Sequence, residues 1–112
     1  MFSAETLQKF AREVAKYPAD QKQSASMACL AHAQEEKGWL APESIEAVAN
    51  YLGMPPIAAY EVASFYNMYD LKPIGKYKIT VCTNLPCALS GGYHAGEYLQ
   101  KKLGVGYGET TP

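Results

Sequence analysis

The sequence predicts an α+β fold, in which a small N-terminal helical bundle is followed by one strand and one further helix. Apolar residues recur at helical spacing through four segments in the first part of the chain. Beyond Lys76 they alternate with polar residues instead, which is the period of a strand. A proline and a glycine interrupt both patterns just before that point. We therefore expect a helical bundle over residues 1–70 and a second, incomplete domain over residues 76–112.

Each of the four predicted helices begins behind a capping residue or at a proline, or ends at a proline or a glycine. They are expected over residues 4–17, 22–37, 42–52 and 56–65. Ser3 and Pro18 bound the first helix, and Gly38 and Gly53 end the second and third. Four short helices of this kind are typical of a small bundle.

The strand is predicted over residues 76–82, because Tyr77, Ile79 and Val81 alternate with polar residues. One more helix is expected from about Leu89 to Leu103, before a glycine that suits a helix end. A single strand leaves its backbone donors and acceptors unpaired. We therefore expect it either to pair with another chain or to belong to a domain that the sequence does not complete.

Size and charge exclude several classes of function. The 112 residues include ten basic and eleven acidic side chains, a net charge of −1, so there is no broad attraction for nucleic acid or anionic lipid. No apolar run approaches the roughly 20 residues of a membrane-spanning helix, and the N-terminal residues do not resemble a leader peptide. Three cysteines, an odd number, favour a reducing, cytoplasmic compartment.

Cys82 and Cys87 are the candidate functional residues. They frame the loop between the predicted strand and the next helix, with Pro86 suited to the helix entry. The free amides and dipole at a helix N-terminus stabilise a thiolate and an anionic cluster bound to it. The spacing C-x4-C is a weak signal by itself, and two incidental thiols are the alternative interpretation.

The other conspicuous residues favour structural roles. Cys29, on an alanine-rich helix, is expected to be a core thiol, and His94 a surface or packing residue rather than a metal ligand. The glycines that follow Cys87 match no phosphate-binding loop and indicate a close approach of helix to backbone or cluster. Aromatic residues near the boundary are expected to fill the core, with a partner surface as the alternative. These aromatic residues are Tyr60, Phe65, Tyr66, Tyr69 and Tyr77.

Three segments together closely resemble the thioredoxin-like [2Fe–2S] ferredoxin family, in its 24-kDa type that serves the NADH:quinone oxidoreductase known as respiratory complex I. They are Gly38-Trp39-Leu40, YEVASFYNMY from residue 60 and VCTNLPCALSGG from residue 81. The resemblance implies that Cys82 and Cys87 are the first pair of four cysteine ligands of a [2Fe–2S] cluster. The family's later C-x3-C pair has no counterpart here, so we expect a fragment that ends partway through a thioredoxin-like domain and holds an incomplete site.

The resemblance also implies an electron-transfer subunit, whose partners are a flavin-bearing, NADH-binding subunit and a large iron–sulfur subunit. The protein would lie on the cytoplasmic side of the inner membrane without spanning it. NADH and flavin would bind to the neighbour, and no catalysis is expected of this chain in isolation. Self-association through the unpaired strand is a further expectation.

Other interpretations remain open. The equivalent diaphorase subunit of an NAD-linked hydrogenase or formate dehydrogenase shares this module. A metal-free docking module is an alternative of a different class. A thiol–disulfide enzyme is disfavoured, because C-x4-C is longer than the C-x-x-C loop that this reaction prefers.

Overall fold

The computed structural model describes all 112 residues and contains six α-helices and one 3₁₀ helix. The chain divides into two compact units, Met1–Pro73 and Ile74–Pro112. No helix is long and apolar enough to cross a membrane. The α-helices are α1 (Ala4–Val14), α2 (Ser26–Lys37), α3 (Pro42–Leu52), α4 (Pro56–Phe65), α5 (Leu85–Leu89) and α6 (Gly92–Leu103), and the 3₁₀ helix spans Lys22–Ala25.

The predicted helix limits in the N-terminal unit are largely confirmed. The Ser3 side chain caps α1 by accepting a hydrogen bond from the Thr6 amide at 3.2 Å. Helices α2 and α3 end at Gly38 and Gly53, both in the left-handed conformation. These limits are set by local signals, which is why the sequence alone predicts them.

Two helices of this unit differ from the expected spans. Helix α1 ends at Val14 instead of residue 17, because the chain tightens into turns in which the Lys16 and Tyr17 amides bond to carbonyls three residues back. Pro18 disfavours helical geometry at the residue before it. The helix expected over 22–37 begins as the 3₁₀ helix and becomes α-helical at Ser26.

The core of the N-terminal unit forms around α2, which contacts α1, α3 and α4. Its largest fully buried side chains are Phe10, Leu30, Leu40, Val48 and Cys29. The expectation that Cys29 is a core thiol is therefore confirmed. Such a core, built mainly from aliphatic side chains, supplies most of the favourable free energy of folding.

The chain after α4 is held against α2 by polar contacts. The Gln34 amide donates to the Met68 carbonyl at 3.0 Å and accepts from the Asp70 backbone N–H at 2.6 Å. The Tyr69 hydroxyl donates to the Met27 carbonyl at 2.7 Å. Each of these bonds contributes about 1 kcal/mol to stability, and together they fix the end of the unit.

The expectation that the boundary aromatic residues fill the core is wrong for all but Tyr69. Phe65 and Tyr77 are 79% and 80% exposed, and Tyr60 and Tyr66 are also exposed. On α4 the buried positions belong to Ala59 and Ala63. Small residues bring this helix close to its neighbours, and Val62 also packs against the core, whereas Ile57, Tyr60 and Phe65 are exposed.

The strand predicted over 76–82 is not formed, and the α+β assignment is corrected to an all-helical structure for this chain. Residues 76–82 belong to no β-ladder. A strand is defined by hydrogen bonds to a neighbouring strand, and this chain forms no second strand for it to pair with. The alternating pattern shows which side chains would lie on one face if residues 76–82 joined a sheet. Forming the sheet also requires a second strand, which the pattern does not predict.

The helix expected from about Leu89 begins at Gly92 as α6, and an additional short helix, α5, precedes it. Helix α5 carries Cys87, and Gly91, in the left-handed conformation at φ 96°, separates it from α6. Helix α6 ends before Gly104, as expected. The division places the second cysteine on an element distinct from the long helix that follows it.

The stability of this chain should fall in alkaline solution. Burial raises the pKa of the Cys29 thiol from 9.0 to about 11, with a further contribution from Glu13. Between these values the unfolded thiol has lost its proton and the folded one keeps it, so the free energy of unfolding decreases as pH rises. The loss from this group is about 1.4 kcal/mol at pH 10. Urea denaturation at pH 8 and pH 10 measures it. The matched variant Cys29→Ala should lose less over the same interval, and an equal loss would contradict this assignment.

Candidate metal centre

The two candidate cysteines lie at either end of one short loop in the C-terminal unit. Cys82 lies in the non-helical segment three residues before α5, and Cys87 is the third residue of that helix. The Asn84 side chain caps this helix by accepting from the Leu85 amide at 2.9 Å, and Pro86 occupies its first turn. The sequence Asn-Leu-Pro therefore turns the chain sharply between the two thiols.

The pKa values of the two thiols depend on each other. The backbone N–H of Asn84 lowers the pKa of Cys82, and the neighbouring Cys87 thiol lowers it further. The Cys82 side chain and its charge raise the pKa of Cys87. The two cysteines therefore titrate as a pair.

The sequence led us to expect that a helix N-terminus beside this loop would stabilise a thiolate, without assigning it to one of the two cysteines. In the structure the lowered pKa belongs to Cys82, and the backbone N–H of Asn84, the residue that caps α5, is its largest cause. Helix α5 has five residues, and Cys87 lies at its centre. Asn84 was not singled out from the sequence, although an asparagine two residues before a proline is a recognisable helix cap.

The backbone of α6 approaches this loop closely at Gly92. A Cβ atom built at Gly92 would lie 2.6 Å from the Cys82 carbonyl oxygen and 2.9 Å from the Cys87 carbonyl oxygen. The close approach predicted from the glycines after Cys87 is therefore confirmed. Both cysteines and Gly92 line an open depression of about 390 Å³.

A larger cavity of about 600 Å³ also lies in the C-terminal unit, but neither cysteine lines it. Its walls are apolar side chains of the non-helical segment and α6, among them Ile79, Val81 and Leu103, with the C-terminal residues. It offers no thiol or histidine for a metal. The depression at Cys82 and Cys87 is thus the cavity of this unit that is lined by thiols able to bind a metal.

Cys29 is unsuited to join the pair as a ligand. Its side chain is fully buried in the N-terminal unit, and burial raises the pKa of its thiol to about 11. A metal ligand must be a thiolate, so a buried thiol with a raised pKa is a poor donor. His94 is exposed on α6, and no group of three or more potential ligands occurs in the structure.

The arrangement fits half of an all-cysteine iron–sulfur centre. A [2Fe–2S] cluster held only by cysteine requires four thiolates, and hydrogen bonds to sulfur tune its potential. Here two accessible thiols frame one loop and line one depression, and the Asn84 amide favours the thiolate form of Cys82. The donor set is therefore of the kind that such a cluster needs, and two of the four thiolates could come from it.

The chain is similar to known proteins of one family. Residues 10–112 match the family model described as thioredoxin-like [2Fe–2S] ferredoxin. The chain is 44% identical over 98 residues to NADH-quinone oxidoreductase subunit 2 of Thermus thermophilus, and 50% identical over 99 residues to a subunit of NADH-quinone oxidoreductase from Rickettsia conorii. Each match covers 88% of this chain, and 54% and 59% of the respective relatives. The chain thus spans just over half the length of these relatives.

Proposed function

Because this chain belongs to the thioredoxin-like [2Fe–2S] ferredoxin family, we propose that Cys82 and Cys87 provide two of the four thiolate ligands of a [2Fe–2S] cluster. The observation that carries the proposal is that both free thiols frame one short, accessible loop and line the same depression. Two thiols held on one loop need little rearrangement to bind one cluster. The remaining two ligands lie outside these 112 residues.

When bound, the cluster supplies one-electron oxidation and reduction. The residues of this chain hold and tune it. The Asn84 amide lowers the pKa of Cys82 and so stabilises negative charge on that sulfur. Pro86 and the Asn84 cap fix the path of the loop that joins the two cysteines. No carboxylate of this chain is required as an acid or base.

We further propose that the protein is an electron-transfer subunit of an NADH:quinone oxidoreductase. The support is the name of the relatives, which are themselves called subunits of that enzyme. Its partners would be the flavin-bearing, NADH-binding subunit and the large iron–sulfur subunit, on the cytoplasmic side of the membrane. In this assignment residues 1–70 form a docking bundle, and residues 76–112 begin the thioredoxin-like domain.

The surface of the bundle supports a role in docking. Helix α4 and the turn after it expose several large apolar side chains, which would otherwise be costly to leave in water. These are Ile57, Tyr60, Phe65, Tyr66 and Met68. A neighbouring protein in the same complex accounts for such a surface.

The proposal is tested in the intact complex isolated from the source organism. NADH added under anaerobic conditions should produce the low-temperature electron paramagnetic resonance signal of a reduced [2Fe–2S] centre, and added quinone should remove it. A complex that contains this protein but gives no such signal with NADH, or with dithionite, would refute the proposed function. A signal that responds to hydrogen or formate, and not to quinone, would favour the diaphorase of a hydrogenase or formate dehydrogenase.

A further inference from the structure

We infer that Gly92 is a positioning residue for the cluster ligands: its missing side chain lets the first turn of α6 set the separation of Cys82 and Cys87. The inference rests on the proposed function for its biological meaning. The geometry that carries it, however, belongs to this chain alone. Nothing about Gly92 is required by the C-x4-C spacing, because this glycine lies outside the loop that the two cysteines frame.

The contact involves backbone on both sides. A Cβ atom at Gly92 would lie 2.6 Å from the Cys82 carbonyl oxygen and 2.9 Å from that of Cys87. The Cys87 carbonyl is itself held by the Ser90 amide at 3.1 Å. Neither carbonyl can turn aside as a side chain can. A methyl group at position 92 must therefore displace the backbone of one or both cysteines.

One residue thus touches both ligand positions at once. Carbon and oxygen atoms in ordinary contact are separated by more than about 3.3 Å, so the displacement is on the order of half an ångström or more. Binding groups must be held to about 0.5 Å to act together. Gly92→Ala should consequently change the separation of the Cys82 and Cys87 sulfurs, while both residues keep their thiol groups.

Gly96 provides a matched control on the same helix. A Cβ atom there would meet the hydroxyl end of the Tyr107 side chain, and the next contact, with a Val81 methyl, is an ordinary 3.7 Å. Tyr107 is 64% exposed and has room to move. Gly96→Ala therefore adds the same methyl group to the same helix, one turn away, without pressing on the cysteine loop.

The probe is phenylarsine oxide, which bridges two adjacent thiols. Two thiols condense with it to form two arsenic–sulfur bonds, and its oxygen leaves as water with the two thiol protons, with no change in oxidation state. Affinity for this reagent measures whether both sulfurs are in reach together. Iodoacetamide, which alkylates one thiol at a time, measures the accessibility of each sulfur separately. Both are applied to the reduced full chain, free of iron.

We expect Gly92→Ala to weaken arsenical binding by about tenfold or more, while iodoacetamide still alkylates both Cys82 and Cys87 at rates distinct from those of the chain in guanidinium. Gly96→Ala should bind as the unaltered chain does. Unchanged binding by Gly92→Ala would overturn the inference, and so would equal weakening in both variants. If iodoacetamide alkylates the cysteines of Gly92→Ala as fast as those of the chain unfolded in guanidinium, the variant is unfolded. Gly92 is then merely structural, and the inference also fails.

These outcomes are independent of the proposed function, because no iron takes part. If the complex shows no [2Fe–2S] signal while Gly92→Ala still loses arsenical binding, the proposed function fails and the inference about the thiol pair stands. If the signal is present while Gly92→Ala binds normally, only the inference about Gly92 fails.

Discussion

Replacing Cys82 or Cys87 by serine in the intact complex is expected to abolish the [2Fe–2S] signal of this protein. A serine hydroxyl has a far higher pKa than a thiol, and the thiolate is the form that binds iron. The loss of signal should be large for either substitution, because the cluster is left with three thiolates and this chain offers no equivalent fourth ligand. No histidine or carboxylate lies with the pair to replace the missing sulfur.

The matched control is Cys29→Ala, which removes the third thiol of the chain. Since Cys29 is fully buried in the N-terminal unit, this variant should keep the signal and lose only packing energy. Low-temperature electron paramagnetic resonance of the NADH-reduced complex measures all three variants. A signal that survives in Cys82→Ser and Cys87→Ser but disappears in Cys29→Ala would reverse the ligand assignment.

Replacing Phe10 by alanine should cause the largest loss of stability of the N-terminal unit. The ring is fully buried and packs edge-to-face against Phe2 and Tyr51, with centroids at 5.0 and 5.2 Å. Removing a buried aromatic ring costs about 3–5 kcal/mol, a large part of the stability of a small domain. Urea denaturation followed by the fluorescence of Trp39, the single tryptophan of the chain, measures this unit directly.

Phe65→Ala is the comparison for this substitution. The same atoms are removed, but Phe65 is 79% exposed at the end of α4, and the change should stay within about 0.5 kcal/mol. In the assembled complex the effects of the two substitutions should rank differently, because Phe65 lies on the proposed docking surface. Equal losses of stability for the two variants in the isolated chain would contradict the described core.

The parts of the fold that the sequence predicted correctly depend on neighbouring residues. The Ser3 cap and the helix ends at Gly38, Gly53 and Gly104 follow from backbone geometry within a few residues. The strand over 76–82 depended instead on a distant partner strand, and that prediction was wrong. The period of a pattern shows what a segment is suited to form, but pairing requires a second segment.

The candidate site was predictable only in part. The spacing of Cys82 and Cys87 placed them on one loop, and the resemblance to a family identified the cluster. The bond from the Asn84 amide and the close approach of Gly92 depend on how the loop and α6 fold together. The sequence indicated a close approach by the glycines after Cys87, but it did not show which backbone atoms they would meet.

The most direct test of the central claim is to find which sulfurs the cluster covers. The complex is treated with N-ethylmaleimide before and after removal of iron by a chelator, and the labelled peptides are identified by mass spectrometry. We predict that Cys82 and Cys87 are protected while the cluster is present and labelled once it is removed, with Cys29 unlabelled until the protein is denatured. Equal labelling of Cys82 and Cys87 with and without the cluster would show that these residues are not its ligands.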